Sequence, residues 1–116
     1  SIDGLLSDYE RYGRNAVLAG NRLALEETAL AGAGDLLQRV RELVVQAANG
    51  PLNAENRRMV VAEVRAHIEE LVATANTRDA GGEYIFGGTA TRTQPFVRAA
   101  GSVVYQGDQG RRLVQV

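Results

Sequence analysis

The side chains best suited to chemistry are one histidine and two adjacent pairs of glutamates. His67 is the only histidine, and activation of a nucleophile needs such a base close to the nucleophile. It precedes the apolar Ile68 in a helical pattern, which favours a histidine on the flank or surface of a helix. Within each glutamate pair, at 26–27 and at 69–70, the two side chains point about 100° apart on a helix. Neither pair therefore forms a tight acid–base dyad. A solvated helix face is the favoured interpretation, and the sequence predicts no catalytic residue.

A glycine-rich stretch at residues 75–96, ANTRDAGGEYIFGGTATRTQPF, is the second place to look for ligand chemistry. A phosphate-binding loop runs from a strand through glycines into a helix N-terminus, where free N–H groups meet the anion. Here the order is helix, glycines, strand, and the Lys-Ser/Thr pair of a Walker loop is missing. The sequence therefore argues against nucleotide binding, and we expect no cofactor.

Metal ions and nucleic-acid bases are also poor fits to this part of the chain. The sequence GDQG at 107–110 offers one carboxylate, Asp108, whereas Ca²⁺ takes about six to eight oxygen ligands. Tyr84, Phe86 and Phe96 have rings that can stack on bases, but few arginines lie near them. A turn at 107–110 and hydrophobic packing at the end of a helical rod explain these residues better.

Composition and charge narrow the classes of partner. The chain has 116 residues, of which 45% are hydrophobic but only 5% aromatic, as expected for close-packed helices. The formal net charge is −1 and the basic residues are scattered, so no global field attracts nucleic acid or an anionic membrane. There is no cysteine to form a disulfide or a thiolate site. No apolar run reaches the about 18 residues that a membrane-spanning helix needs.

The first part of the chain predicts one long helix at about residues 5–48. Apolar or small residues recur every seven positions in two interleaved series, with Glu26 as the one exception, which indicates a coiled-coil-like seam. The sequence AGAGD at 31–35 allows the alternative of a kink, with Asp35 capping a new helix, but the continuous helix is favoured. The two series are Tyr9, Ala16, Leu23, Leu30, Leu37 and Val44, and Tyr12, Ala19, Glu26, Ala33, Val40 and Ala47.

An Asn-Gly-Pro turn at 49–51 separates this helix from a second one at about residues 54–76. Gly50 is expected to adopt the left-handed cap conformation, and Pro51 to stop the first helix. Asn53 is expected to cap the second helix, and the short connection makes the two helices antiparallel neighbours. One face of the second helix is predicted to consist of Val61, Val64, Ile68, Leu71 and Ala75.

The two predicted helices differ in length. The second spans roughly 35 Å and covers only the later half of the first, which spans roughly 65 Å. The early part of the seam is therefore expected to contact another helix, from elsewhere in the same protein or from another subunit. Small residues there permit close approach of that helix. The predicted contact residues are Tyr9, Tyr12, Gly13, Ala16, Ala19, Gly20 and Leu23.

After residue 80 the periodicity changes and short strands are expected. EYIFGG at 83–88 is an apolar run bounded by glycines, which is a strand signal. Residues 103–105 and 113–116 predict a hairpin whose turn is 107–110. The predicted fold is mainly α with a small β part, a long antiparallel helical hairpin (the rod) followed by short β-strands. The expected division is a helical rod at 1–80 and a β segment at 81–116.

The helical segments resemble a known family. RVRELVVQAANG at 39–50 and NAENRRMVVAEVRAHIEELVATAN at 53–76 are similar to the N-terminal helical hairpin of bacterial flagellins and their relatives. The patterns YIF-G, PF and Y-GD--R that follow look like those of flagellar hook-associated proteins rather than those of flagellins. The resemblance covers essentially the whole chain. The residues that carry this second signature are Tyr84, Phe86, Pro95, Phe96 and Asp108.

This resemblance implies a structural role without catalysis. Such a protein is a component of the bacterial flagellum at the junction between hook and filament, and it assembles by helix packing with neighbouring subunits. The implied partners are flagellin, the neighbouring hook-associated protein and copies of itself, with an export chaperone as a further candidate. The implied location is extracellular, after export by the flagellar type III system without a cleaved signal peptide.

Two alternatives stay open beside this expectation. One is flagellin itself, the filament subunit, although the aromatic run and the hairpin pattern count against it. The other is a helical dimerisation or signalling module with a self-complementary seam.

Relatives in the family begin with an export and polymerisation segment and end with helices that pack on the rod. Both are expected to lie outside this chain.

Overall fold

The chain folds into a helical rod with a small β part at one end. A computed structural model describes residues 1–110 and extends over 76 × 25 × 19 Å. Its elements are the helices α1 (Ile2–Asn49) and α2 (Ala54–Ala75) and the strands β1 (Phe96–Ala99) and β2 (Ser102–Tyr105). The predicted fold class is confirmed. No helix within residues 1–110 has the length and apolar character needed to cross a lipid bilayer.

Helix α1 is continuous over 48 residues. At its start the Ser1 hydroxyl accepts a hydrogen bond from the Gly4 N–H at 3.2 Å, and Asp3 places negative charge where the helix dipole favours it. The segment 31–35 continues the helix despite its two glycines. The prediction of one long helix is confirmed, and the alternative of a new helix beginning at Asp35 is wrong.

The turn between the helices differs from the expected left-handed cap. Gly50 has φ −105° and ψ 147°, an extended conformation, and its N–H donates to the Gln46 carbonyl oxygen at 3.1 Å. Pro51 is the physical reason, because contact with the proline ring drives the preceding residue towards extended backbone. The predicted cap conformation is therefore wrong, although the helix ends at the predicted place.

The N-terminus of α2 depends on Asn53. Its Oδ1 accepts a hydrogen bond from the Asn56 N–H at 2.7 Å, an amide that the first turn of a helix leaves unpaired. We expect Asn53→Ala to lower the free energy of unfolding by about 1 kcal/mol, measured by urea denaturation. Asn53→Asp retains the acceptor and is the matched control. An equal loss in both variants would contradict the capping role.

Helix α2 packs against the C-terminal half of α1, as the unequal lengths predict. Leu43, with a side chain only 2% exposed, marks the contact. The predicted series through Ala33 and Val40 lies on the covered face, whereas the series through Leu30 and Leu37 remains exposed. The covered residues of α1 are Ala29, Ala33, Leu36, Val40, Leu43 and Ala47.

The covered face of α2 is shifted from the predicted one. Val61 and Ile68, two of the five predicted residues, are exposed. Val60 and His67 are half-buried instead, because each residue along a helix turns the side chain by about 100° and adjacent positions cannot share a face. The half-buried residues of α2 are Val60, Glu63, Val64, His67, Leu71, Val72, Thr74 and Ala75.

The two strands form an antiparallel hairpin in which Phe96 pairs with Tyr105. Gly101, in the turn between them, has a φ of +75°, which glycine adopts without strain. The predicted strand at 103–105 lies within β2, but its partner is β1, which no sequence pattern indicated. The expected partner at 113–116 lies outside the described residues.

The prediction of a strand at 83–88 is wrong. Within residues 1–110, the pairing of this segment is limited to one antiparallel bridge between Arg78 and Tyr84. Gly88, at its end, has a φ of +66°, and a Cβ there would collide with Asp108. The run is apolar because its residues are buried in a turning segment and not because they pair in a sheet.

Candidate assembly surface and rod-end cluster

A stripe of exposed apolar side chains follows α1. Its five large members are between 54 and 66% exposed. Burial of each such side chain would contribute about 1.5–3 kcal/mol, and an extended exposed apolar patch marks an interaction site. This surface, called the exposed stripe below, is the main candidate site of the chain. It consists of Tyr9, Ala16, Leu23, Leu30, Leu37 and Val44.

The contact residues predicted from the sequence lie in the part of α1 that α2 does not reach. Most are exposed, and only Tyr12 and Ala19 are half-buried. A Cβ added at Gly13 or Gly20 would meet nothing within 4 Å, so no contact among the described residues explains these two glycines. Close approach of a partner helix stays a prediction for the whole set. The set is Tyr9, Tyr12, Gly13, Ala16, Ala19, Gly20 and Leu23.

Further along α1, the exposed stripe borders an apolar groove with a volume of about 560 Å³. Ile68 and Val72 line it from α2, and Phe86 and Phe96 line it from the β part. Thr74 carries the single polar side chain among the described lining residues, so the groove suits an apolar helix face rather than a charged ligand. The remaining lining residues are Ala29, Leu30, Ala33, Leu71, Ala75 and Val103.

His67 lies beside an ion pair that links the two helices. Its Nε2 is 3.3 Å from Glu63 Oε1, and the same oxygen accepts a hydrogen bond from Arg39 Nε at 3.0 Å. The Arg39 hydrogen bond lowers the pKa of the Glu63 carboxyl, and Glu63 in turn raises the pKa of Arg39. A carboxylate held ionised by an arginine is a poor proton acceptor, so the arrangement is suited to holding helices together rather than to acid–base chemistry.

Beyond α2 lies a group of aromatic and apolar residues, called the rod-end cluster below. Tyr84 is 6% exposed, Ile85 and Pro95 are also buried, and the two phenylalanines are half-buried. The Arg78 guanidinium lies 4.5 Å from the centre of the Tyr84 ring and donates a hydrogen bond to its hydroxyl. These rings are engaged within the chain. The cluster consists of Tyr84, Ile85, Phe86, Pro95 and Phe96.

Asp108, the fifth residue of the predicted signature, ties the glycine loop to the end of the hairpin. Its carboxylate accepts hydrogen bonds from the Thr89 hydroxyl, from the Thr89 N–H at 2.7 Å and from the Gly110 N–H at 2.9 Å. These hydrogen bonds, the Thr89 hydroxyl foremost, lower the pKa of Asp108. The sequence predicts a turn at 107–110, but Thr89 lies 19 residues away and leaves no local sequence signal.

Asp108 should make this loop sensitive to acid. Its folded pKa lies below the unperturbed value of about 3.9, so its carboxylate stabilises the loop above that pH. The contribution is lost as the pH falls from that value through the lowered folded pKa. We expect the Thr89 amide resonance to titrate below about pH 4 and Asp108→Asn to abolish this titration. Asp35→Asn is the control, and an unchanged titration in Asp108→Asn would contradict the assignment.

The rod, the short turn and the cluster at its end define a class of protein. The family model for the bacterial flagellin N-terminal helical region matches residues 4–91, and the chain belongs to the bacterial flagellin family. Within it, the chain is similar to flagellar hook-associated protein 3 of Escherichia coli K12, with 32% identity over 111 residues, 90% of this chain and 35% of that protein. The flagellar junction protein FlgL of Legionella pneumophila has a TM-score of 0.91 and 34% identity, over 97% of this chain and 37% of that one.

The predicted resemblance to the hook-associated branch of the family is confirmed. The chain spans about a third of the length of these relatives. Flagellin FlaB1 of Treponema pallidum is 34% identical over only 80 residues, 69% of this chain and 28% of that protein. An alignment of 111 residues includes most of the β part, whereas one of 80 residues does not require it. The β part therefore favours the hook-associated proteins over the flagellins.

Proposed function

We propose that this chain is part of a structural protein of the bacterial flagellum, located at the junction between hook and filament. The observation that carries the proposal is the exposed stripe, an apolar surface along nearly the whole of α1. Such a surface calls for helices packed along its length, which a subunit of an assembled tube has. The similarity to hook-associated and junction proteins supports the position at the junction.

Assembly proceeds by side-by-side packing of rods. The partners are copies of the same subunit, flagellin on one side and the neighbouring hook-associated protein on the other. An export chaperone is a further partner before assembly. The N-terminal part of α1 makes these contacts or receives another helix of the same protein, and its small residues permit close approach. The contact residues are Tyr9, Tyr12, Gly13, Ala16, Ala19, Gly20 and Leu23.

The two parts of the chain have different roles in this proposal. Residues 1–80 form the rod that packs with neighbours, and the segment 81–116 contains the rod-end cluster, which closes the end of the rod and supports what lies outside it. No catalytic step, cofactor or metal ion is involved. The protein is extracellular and reaches the flagellum through the type III export system without a cleaved signal peptide.

Flagellin is the second candidate function. The family match over residues 4–91 favours it, because this helical region is named for flagellin. In that case the same exposed stripe packs against identical subunits along the filament. A helical dimerisation or signalling module is the third candidate, in which the stripe pairs with a second copy of itself.

Immunogold labelling of isolated flagella separates these candidates. Antibodies raised against this chain are applied to flagella of the source organism, with antibody depleted on the purified chain as the control. We expect gold at one position only, the boundary between hook and filament. Gold along the whole filament would instead identify a filament subunit. Flagella without gold would favour the third candidate, the signalling module. Either result would overturn the proposal.

A further inference from the structure

The side chain of Asn76 joins the rod to the hairpin through the two hydrogen bonds that a residue of a neighbouring strand would make with its backbone. Its Nδ2 donates to the Phe96 carbonyl oxygen at 2.8 Å, and its Oδ1 accepts from the Phe96 N–H at 2.9 Å. Both distances are typical of well-formed hydrogen bonds. One amide side chain thus pairs with both backbone groups of Phe96, the first residue of β1.

Asn76 is itself fixed to the rod. It is the C-cap of α2, and its backbone N–H donates to the Val72 carbonyl oxygen at 3.1 Å. Its side chain is short, and with donor and acceptor both paired it is restricted to one orientation. Asn76 therefore joins the end of α2 to the first residue of β1 through two directional hydrogen bonds.

The other contacts between hairpin and rod restrain its direction less. Apolar contact is non-directional, and Phe86, Phe96 and Val103 border a groove that the described chain leaves unfilled. The ion pair of Arg98 with Glu69 joins two exposed side chains, and water screens such pairs strongly. The paired hydrogen bonds of Asn76 are the directional link from α2 itself, beside the hydrogen bonds of Asp108 that tie the end of the hairpin to the glycine loop.

We propose that Asn76 is the positioning residue that sets the angle between the rod and the β hairpin, and with it the surface that the rod end presents to a neighbouring subunit. The effect on the surface presented to a neighbouring subunit rests on the proposed function and deepens it. Loss of the Asn76 amide leaves both helices formed but frees the hairpin to swing over the groove.

The test uses Asn76→Asp and Asn76→Ala in the protein as the cell makes it. Aspartate has the shape of asparagine but sets a carboxylate oxygen against the Phe96 carbonyl oxygen. Asn56→Asp, at the other end of α2, controls for the added charge. Spin labels on Arg65→Cys and Val104→Cys, at exposed positions in a chain without cysteine, report the distance from rod to hairpin.

We expect both Asn76 variants to widen the distance distribution relative to Asn56→Asp, with unchanged helical circular dichroism. The Phe96 amide should exchange at least about tenfold faster, equivalent to about 1.4 kcal/mol of protection. Unchanged distributions in both variants would overturn the proposal. Asn76→Gln, which keeps both amide groups on a longer side chain, decides the matter if the others do not fold. A shifted mean distance then supports the positioning role, and an unchanged mean overturns it.

The distance measurement tests the role of Asn76, and the immunogold labelling tests the position at the hook–filament junction. Either hypothesis can therefore be overturned without the other. A widened distribution together with gold along the filament would retain the positioning role of Asn76 and overturn the junction. A narrow distribution together with gold at the hook–filament boundary would retain the junction and overturn the role of Asn76.

Discussion

Replacement of Leu43 by alanine is expected to lower the free energy of unfolding by about 3 kcal/mol, within the range for buried leucines. Leu43 is 2% exposed and lies on the face of α1 that α2 covers. Truncation leaves a cavity between two helices whose backbones are held apart by the neighbouring covered side chains. Urea denaturation of the chain, followed by circular dichroism, measures the loss as a lower midpoint with an unchanged slope.

Val44, the next residue, provides the matched control. Its side chain belongs to the exposed stripe, so Val44→Ala in the same chain is expected to change the free energy of unfolding by less than about 0.5 kcal/mol. Leu43→Met, which nearly conserves volume, should lose less than about 1.5 kcal/mol. Equal losses for Leu43→Ala and Val44→Ala would mean that α2 packs on a different face of α1.

The second large effect is expected on assembly. Leu30→Glu combined with Leu37→Glu places two carboxylates in the middle of the exposed stripe. If a helix covers the stripe, each lost leucine removes about 1.5–3 kcal/mol of binding, and the affinity falls by at least about a hundredfold. We expect the purified variant to keep its helical circular dichroism but to be missing from flagella, as quantified by immunogold labelling.

A charge-matched variant controls for the two added carboxylates. Gln38→Glu combined with Gln46→Glu adds the same charge at exposed positions of α1 outside the stripe. Gln38 points about 80–100° away from Leu30 and Leu37, and Gln46 points about 160–180° away from them. This control should enter flagella like the unmodified protein. Normal incorporation of the leucine variant would contradict the role of the stripe.

The seven-residue spacing was sufficient to predict the long helix but not the face that meets α2. Periodic apolar residues must share a side of a helix, and this holds equally for the series through Leu30 and the series through Ala33. Neighbouring stripes on one helix are therefore equivalent until a partner is placed. The packing of α2 covers Ala33 and leaves Leu30 exposed, a distinction that depends on tertiary contacts.

For the end of the rod, the sequence was sufficient to predict buried apolar and aromatic residues but not the conformation of their backbone. An apolar run between glycines, such as 83–88, fits a strand or a buried turning segment equally well. Asn76 and Thr89 left no signal, because their hydrogen-bond partners lie 20 and 19 residues away along the chain. Gly50 is different, since Pro51 beside it already favours an extended conformation over a helical cap on local steric grounds.

Because α1 is one continuous helix, the side chains at its two ends have a fixed angular relation about the helix axis. The helix runs for 48 residues from a part that α2 does not cover into a part that it does. One residue inserted before the covered part would rotate everything upstream by about 100° and turn Tyr9 away from the line of Leu30. Seven inserted residues would rotate it by only about 20°. Length changes in this helix are therefore expected in steps that nearly complete whole turns, such as about seven or eleven residues, because other steps put a subunit out of phase with neighbours of unchanged length.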